Sequence, residues 1–205
     1  MSVKLVSYTP NPERQIELAY LTCRNLDPWN PIKDKTLEER IDAIWKSGHF
    51  SVFEFADATF YISGVSRNLS HQFVRHRMAS YCQLSMRSVN VKDLPIITPP
   101  TMKDAPITGD REFIVGSVRD VYRAYELLVK QGIPMEDARY LLPNGIETRF
   151  MVKMNFRSWI HFLRLRMEKH AQWEIRDIAE QIHLELFGIA PRVFNTLYQP
   201  LWERV

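Results

Sequence analysis

Apolar and polar positions along the chain alternate in short runs and recur at helical spacing in longer ones. Val3 to Tyr8 alternates well enough for an edge strand, which Thr9-Pro10-Asn11-Pro12 breaks. Asn11 can cap a helix with Pro12 at its first position, carried to about Cys23 by Ile16, Leu18, Ala19 and Leu21. Pro28 and Pro31 mark a loop. Thr36, with Glu39 three residues on, forms a capping box for a second helix. Its Leu37, Ile41, Ile44 and Trp45 face a core, and Gly48 ends it. Phe50 to Ile62 is rich in β-formers (Phe53, Phe55, Ala58, Phe60, Ile62) and predicts a strand. Ser66 to Val74 predicts a helix with Leu69 and Phe73 on one stripe. Continued past Val74, that helix would put Gln72, Arg75 and His76 on one face. Ser80 to Ser88 has no period and predicts a loop.

Leu94 to Pro106 holds four prolines and predicts a surface connection. A long helix follows from about Thr108 to Gln131, with Ile114, Val118, Val121, Tyr125 and Leu128 as a seam for core packing or for subunit association. Gly132 and Pro134 stop it, and Pro134 to Leu142 predicts a short helix carrying Arg139. Ile146 to Met154 alternates as a strand. Asn155 can cap a helix whose apolar stripe is Phe156, Trp159, Ile160, Leu163 and Met167. Arg157 and His161 lie on one flank of that stripe and Arg166 on the other, beside Asn155 and Phe162. Such a helix presents cations to two ligands, to two sites shared between subunits, or to solvent on both flanks. Ile175, Ile178, Ile182 and Leu186 define a further helix, and the tail from Pro191 is aromatic and irregular. With no internal repeat, low-complexity segment or linker, residues 1–205 are expected to form one domain.

The length of 205 residues supports one sizeable core. Hydrophobic residues at 45% and charged residues at 25% are ordinary for a globular protein. With 27 basic and 24 acidic residues the net charge is only +3, so any preference for anions must come from local clustering. No run has the length of a membrane span, and the N-terminus has no signal-peptide core. Cys23 and Cys82 lack metal-ligand spacing; they are expected to be reduced thiols of a cytoplasmic protein, and no metal site is expected.

Local clustering is found between Arg75 and Arg87, Arg-His-Arg-Met-Ala-Ser-Tyr-Cys-Gln-Leu-Ser-Met-Arg, where arginines, a histidine and serines stand together almost without acid. Guanidinium forks match phosphate oxygens, and serine hydroxyls and backbone N–H groups can complete an anion site. The bland alternative is a solvated basic helix end. The order Arg75-His76-Arg77, Ser80, Ser85, Arg87 fixes six positions at once and resembles the signature of the flavin-dependent thymidylate synthases. Further segments resemble that family in the same order: His49-x-Ser51-x-x-Glu54, Ala138-Arg139 with Leu142-Pro143, Asn155-x-Arg157-Ser158, and Leu165-Arg166 followed by His170-Ala171-Gln172-Trp173-Glu174.

The resemblance implies an α+β fold, with a small, mostly antiparallel sheet flanked by long helices, in a cytoplasmic homotetramer whose sites lie at subunit interfaces. It implies FAD as cofactor, NADPH as reductant and methylenetetrahydrofolate as one-carbon donor to deoxyuridine monophosphate (dUMP). By that resemblance Ser51, Glu54, Arg75, His76, Arg77, Met78, Gln83, Asn155, Arg157 and His161 belong to the FAD site. The nucleotide site takes Gln72, Arg75, Gln83, Leu84, Ser85, Met86, Arg87, Arg139 and Arg166. Arg166 is the catalytic residue: a fixed guanidinium that stabilises negative charge on the uracil ring. Ser85 is expected to be a contact rather than a nucleophile, since no histidine–acid arrangement that would activate it is legible.

The chain departs from the family pattern at Cys82, Met86, Ser88 and His161. Met86 and Ser88 motivate an alternative, a flavoprotein with a different one-carbon modification of a uridine nucleotide. The basic clusters motivate another, a nucleic-acid-binding module with steep salt dependence. The near-neutral charge balance speaks against that second alternative, and neither membrane nor nucleic acid is an expected partner.

Overall fold

A computed structural model of the chain describes residues 1–29, 35–103, 111–196, 200 and 205. The expected loop proline Pro31, the end of the surface connection at Pro106, the helix start at Thr108 and the side chain of Ile114 lie outside the described residues. The architecture is α+β. Strands β1 (Ser2–Tyr8), β2 (Asp57–Ser66), β3 (Ser80–Gln83) and β4 (Glu147–Asn155) form one sheet in the order β1-β2-β4-β3. All its pairings are antiparallel, with Asp57 opposite Asn155 and Ser80 opposite Lys153.

Burial alternates along β2 and β4, so the sheet has one core face and one open face. Ala58, Phe60, Ile62, Phe150, Val152 and Met154 enter the core, while Met151 and Lys153 point out. Helices α1 (Pro12–Cys23), α2 (Leu37–Ser47), α3 (Arg67–Phe73), α7 (Phe156–Arg166) and α8 (Trp173–Ile189) supply the rest of this core, including Ile16, Trp45, Phe73, Trp159 and Ile178. A smaller cluster of Met86, Val91, Tyr125, Ala138 and Ile146 forms where α5 (Arg111–Lys130) and α6 (Met135–Ala138) meet the loop after β3. The seam expected along α5 therefore packs in part inside the chain, through Tyr125 and Leu128. The remaining helix, α4 (Pro100–Lys103), is a single turn within the expected surface connection.

Several expected signals are found in place. Thr36 and Glu39 form the reciprocal capping box, and Gly48 ends α2 at φ 77°, a left-handed conformation that suits glycine. Asn155 caps α7 by accepting from the Ser158 N–H at 2.9 Å. Asn11 precedes α1 but makes no side-chain cap; it stands at φ 48°. Three local expectations are corrected. Phe50–Phe55 is a 3₁₀ helix, not the start of a strand, because Phe50 and Phe53, three apart, both pack on Trp45. Helix α3 stops at Phe73 rather than carrying Arg75 and His76. The unperiodic stretch begins with a real edge strand, β3, whose partner is the backbone of β4. Among the described residues, no helix is long and apolar enough to cross a membrane, and no group of His, Cys, Asp and Glu could hold a metal. Cys23 and Cys82 are free and exposed.

Candidate active site

A cleft of about 700 Å³ opens between the turn after α3, the 3₁₀ turn and the exposed side of α7. The turn contributes Arg75, His76, Arg77 and Met78, and the 3₁₀ turn contributes Glu54. From the other wall come Asn155, Arg157, Ser158, His161, Leu165 and Arg166. Eight of the ten residues expected at the FAD site are in this lining. The exceptions are Ser51 and Gln83; Gln83 instead donates its amide inward to Ser70 Oγ (2.9 Å) and Thr148 Oγ1 (3.1 Å). Arg157 Nη1 donates to Glu54 Oε1 at 2.7 Å across the mouth. Both side chains are about 40% exposed or more, so the pair contributes little, about 0–1 kcal/mol.

The cations on the two flanks of α7 are brought to one place rather than left in solvent on both sides. Arg157, His161 and Arg166 all line the one cleft, and His76 is the reason. Its ring packs edge-on to Phe162 at 5.0 Å, next to His161 at 5.9 Å, and its Nε2 accepts from Arg166 Nε at 3.0 Å. Phe162 lies on the Arg166 flank of α7, and His76 seated on it reaches both Arg166 and His161. Arg166 also donates from Nη2 to the Gln72 carbonyl at 3.3 Å. Burial, then the neighbouring charges of Arg166 and His161, push the His76 pKa down to about 4. His161 is lowered as well, by partial burial and by Arg164 and Arg166.

Of the other expected nucleotide residues, Gln72 and Gln83 lie elsewhere, Gln72 offering its carbonyl to Arg166. Leu84, Ser85, Met86, Arg87 and Arg139 belong to a second cationic group. Arg87 pairs with Glu136 on α6, Nε to Oε2 at 2.7 Å and Nη2 to Oε2 at 2.6 Å. Arg139 donates from Nε to the Glu136 carbonyl at 2.9 Å. Arg67, at the start of α3, is part-buried, and its pKa is lowered by burial and then by the charge of Arg139. The sequence reading missed Arg67; its position directly after the helix cap Ser66 was the available signal. Ser85 is exposed and accepts from the Arg87 N–H at 3.3 Å, and Leu84 N–H donates to the Arg149 carbonyl at 3.0 Å. The Met86 side chain is buried in the smaller core, which accounts for an apolar residue there.

Two further residues, absent from the expected set, hold the signature in place. The buried Glu174 carboxylate accepts from Ser66 N–H and Ser66 Oγ, both at 2.6 Å, while Ser66 Oγ accepts from Leu69 N–H at 3.1 Å and so caps α3. The Tyr81 hydroxyl lies 2.9 Å from the Phe73 carbonyl and 2.8 Å from the His76 carbonyl, fixing the turn that leaves α3. Burial pushes the Tyr81 pKa up, so the group stays a donor.

The geometry can be set beside known proteins. Residues 4–192 match the family described as "Thymidylate synthase complementing protein". A protein of Sulfurisphaera tokodaii named "Flavin-dependent thymidylate synthase" is 39% identical over 202 residues, covering 95% of this chain and 77% of its own length. One of Geobacter sulfurreducens with the same name is 38% identical over 201 residues, covering 95% and 86%. A third, from Mycobacterium tuberculosis, is 40% identical over 163 residues, 72% of this chain and 64% of its own.

Proposed function

The chain belongs to the flavin-dependent thymidylate synthase family, and from that premise we propose that it converts dUMP to dTMP by FAD-dependent reductive methylation. Methylenetetrahydrofolate is the one-carbon donor and NADPH the reductant. The observation that carries this reading is the convergence of Arg75, Arg77, Arg157, His161 and Arg166 on one cleft.

The lining fits FAD in size and chemistry. Small-molecule sites commonly enclose about 300–1,000 Å³, and arginines for phosphates stand here beside Met78 and Leu165 for an apolar ring system. Arg75, Arg77 and Arg157 hold the pyrophosphate side, while Asn155, Glu54 and His161 supply further polar contacts. When bound, the flavin supplies the hydride that makes the transferred carbon a methyl group. Arg166 faces the uracil ring and stabilises the negative charge that makes C5 nucleophilic; preorganised charge of this kind is often the largest catalytic contribution. Arg87, Arg139 and Arg67, with Ser85 and its backbone neighbours, take the nucleotide phosphate.

The cleft lining contains neither Arg87 nor Arg139. That division supports a homotetramer in which one copy brings the nucleotide-binding group to the cleft of another. The residues form one catalytic domain, and the enzyme works in the cytoplasm. Burial of Met86 weakens the case for an altered product. The test is direct: purified protein should show a flavin spectrum that bleaches with NADPH, and should release tritium from C5-labelled dUMP. A colourless protein that neither takes up FAD nor releases label would end this reading.

A further inference from the structure

Among the described residues, Arg166 is anchored by neutral acceptors and by no carboxylate. Some other buried or part-buried arginines are held by carboxylates, as Arg40 is by Glu17 and Arg192 by Glu13. Arg166 is held by an imidazole and a carbonyl. These take two of the five N–H donors of a guanidinium, leaving three for a ligand in the cleft. Neither acceptor carries a negative charge.

We propose that His76 is a positioning residue for the reaction: as a neutral acceptor at Nε2 it fixes the plane and reach of Arg166 while leaving the full positive charge available to the pyrimidine. The inference rests on the proposed function above. The ring is well placed for the task. Its backbone is pinned by the Tyr81 hydroxyl on its carbonyl and by its own N–H on the Phe73 carbonyl at 3.1 Å. Its faces and edges meet Phe162, Phe73 and His161, which restricts rotation about the side-chain bonds. An Nε2 that accepts from Arg166 requires the proton on Nδ1. The charges that act on the ring are cations, Arg166 and, when protonated, His161 from α7, with Arg75 and Arg77 adjacent in its own turn; Glu54 lines the same cleft and is paired with Arg157. The lowered pKa keeps it neutral at pH 7.

The chemistry separates three substitutions. H76Q retains a neutral acceptor, H76F retains bulk against Phe162 but no acceptor, and H76E retains an acceptor that cancels the charge. With flavin saturating, H76Q should keep kcat within about fivefold of the natural enzyme. H76F should lose about 10–100-fold in kcat, with a smaller change in the KM for dUMP, and H76E at least as much. A role in packing alone would reverse the order, leaving H76F, which keeps the ring against Phe162, more active than H76Q. H76F turning over at the natural rate would overturn the proposal, as would equal kcat in H76Q and H76E. Should the variants fail to fold, nitrogen NMR of the unmodified protein decides. The expected result at pH 7 is a neutral His76 protonated on Nδ1, with an Arg166 Nε–H protected from exchange; protonation on Nε2 would overturn the assignment. This measurement needs neither flavin nor turnover, so it stands apart from a failure to convert dUMP.

Discussion

The two cationic groups are built differently. The cleft rests on the main core: His76 is wedged against Phe162 and Phe73, and Arg166 is tied to main chain and imidazole, with no carboxylate partner among the described residues. The Arg87 group rests on the smaller core, and its most exposed guanidinium is answered by Glu136. One charge is thus held ready, and the other is compensated until an anion replaces its partner. Catalytic charge needs fixed geometry, because its contribution comes from costing no reorganisation at the moment of reaction. Binding charge tolerates exchange of partners, since a phosphate dianion out-competes a single carboxylate.

The contrast is sharpest at Arg166. R166A should lower kcat by about 10²–10³-fold while flavin content, read from absorbance, stays near one per chain. Loss of flavin in step with activity would erase the distinction between the groups. R87A should act on affinity instead, raising the dUMP dissociation constant by roughly 10–150-fold, the worth of a charged hydrogen bond. E136Q should shift the same constant the other way, by a few-fold, because the phosphate then displaces a neutral amide. Isothermal titration with dUMP checks both; weaker binding in E136Q would make Glu136 a support for Arg87 rather than a competitor.

A smaller effect concerns stability against pH. The folded His76 pKa lies below the ordinary imidazole value, so the unfolded chain takes up the proton first. Stability is then full above pH 6.5 and declines as pH falls from 6.5 towards about 4. Urea unfolding across that window should show the decline, flattened in H76F. The smallest effect belongs to E54Q, which should change unfolding free energy by less than about 1 kcal/mol because the pair with Arg157 is exposed.

Much of this was legible in residue order, and the failures have physical causes. Caps are local, so Thr36, Asn155 and Gly48 could be placed from a few neighbours. Phe50–Phe55 misleads because aromatic content favours strands, while the decisive spacing is the three-residue step from Phe50 to Phe53 against Trp45. Strand β3 is four residues long and owes its existence to the β4 backbone, which no side-chain pattern reports. The membership of most FAD-site candidates in one cleft followed from family resemblance. The meeting of Arg157 and Arg166 did not, because it depends on α3 ending at Phe73 so that His76 can cross onto Phe162. Arg67 is signalled only by its place after the Ser66 cap and Glu136 not at all, because their relevance is a matter of proximity to Arg139 and Arg87.

The bond from Glu174 to Ser66 spans 108 residues. A ribosome must therefore finish most of the polypeptide before the amide at the head of α3 meets its carboxylate. Until then the arginine-rich turn hangs from a helix of seven residues, too short to persist alone in water. Contacts so distant along the chain are slow to close, so the arginine-rich turn is held in place only once α8 has been made and has packed against α3.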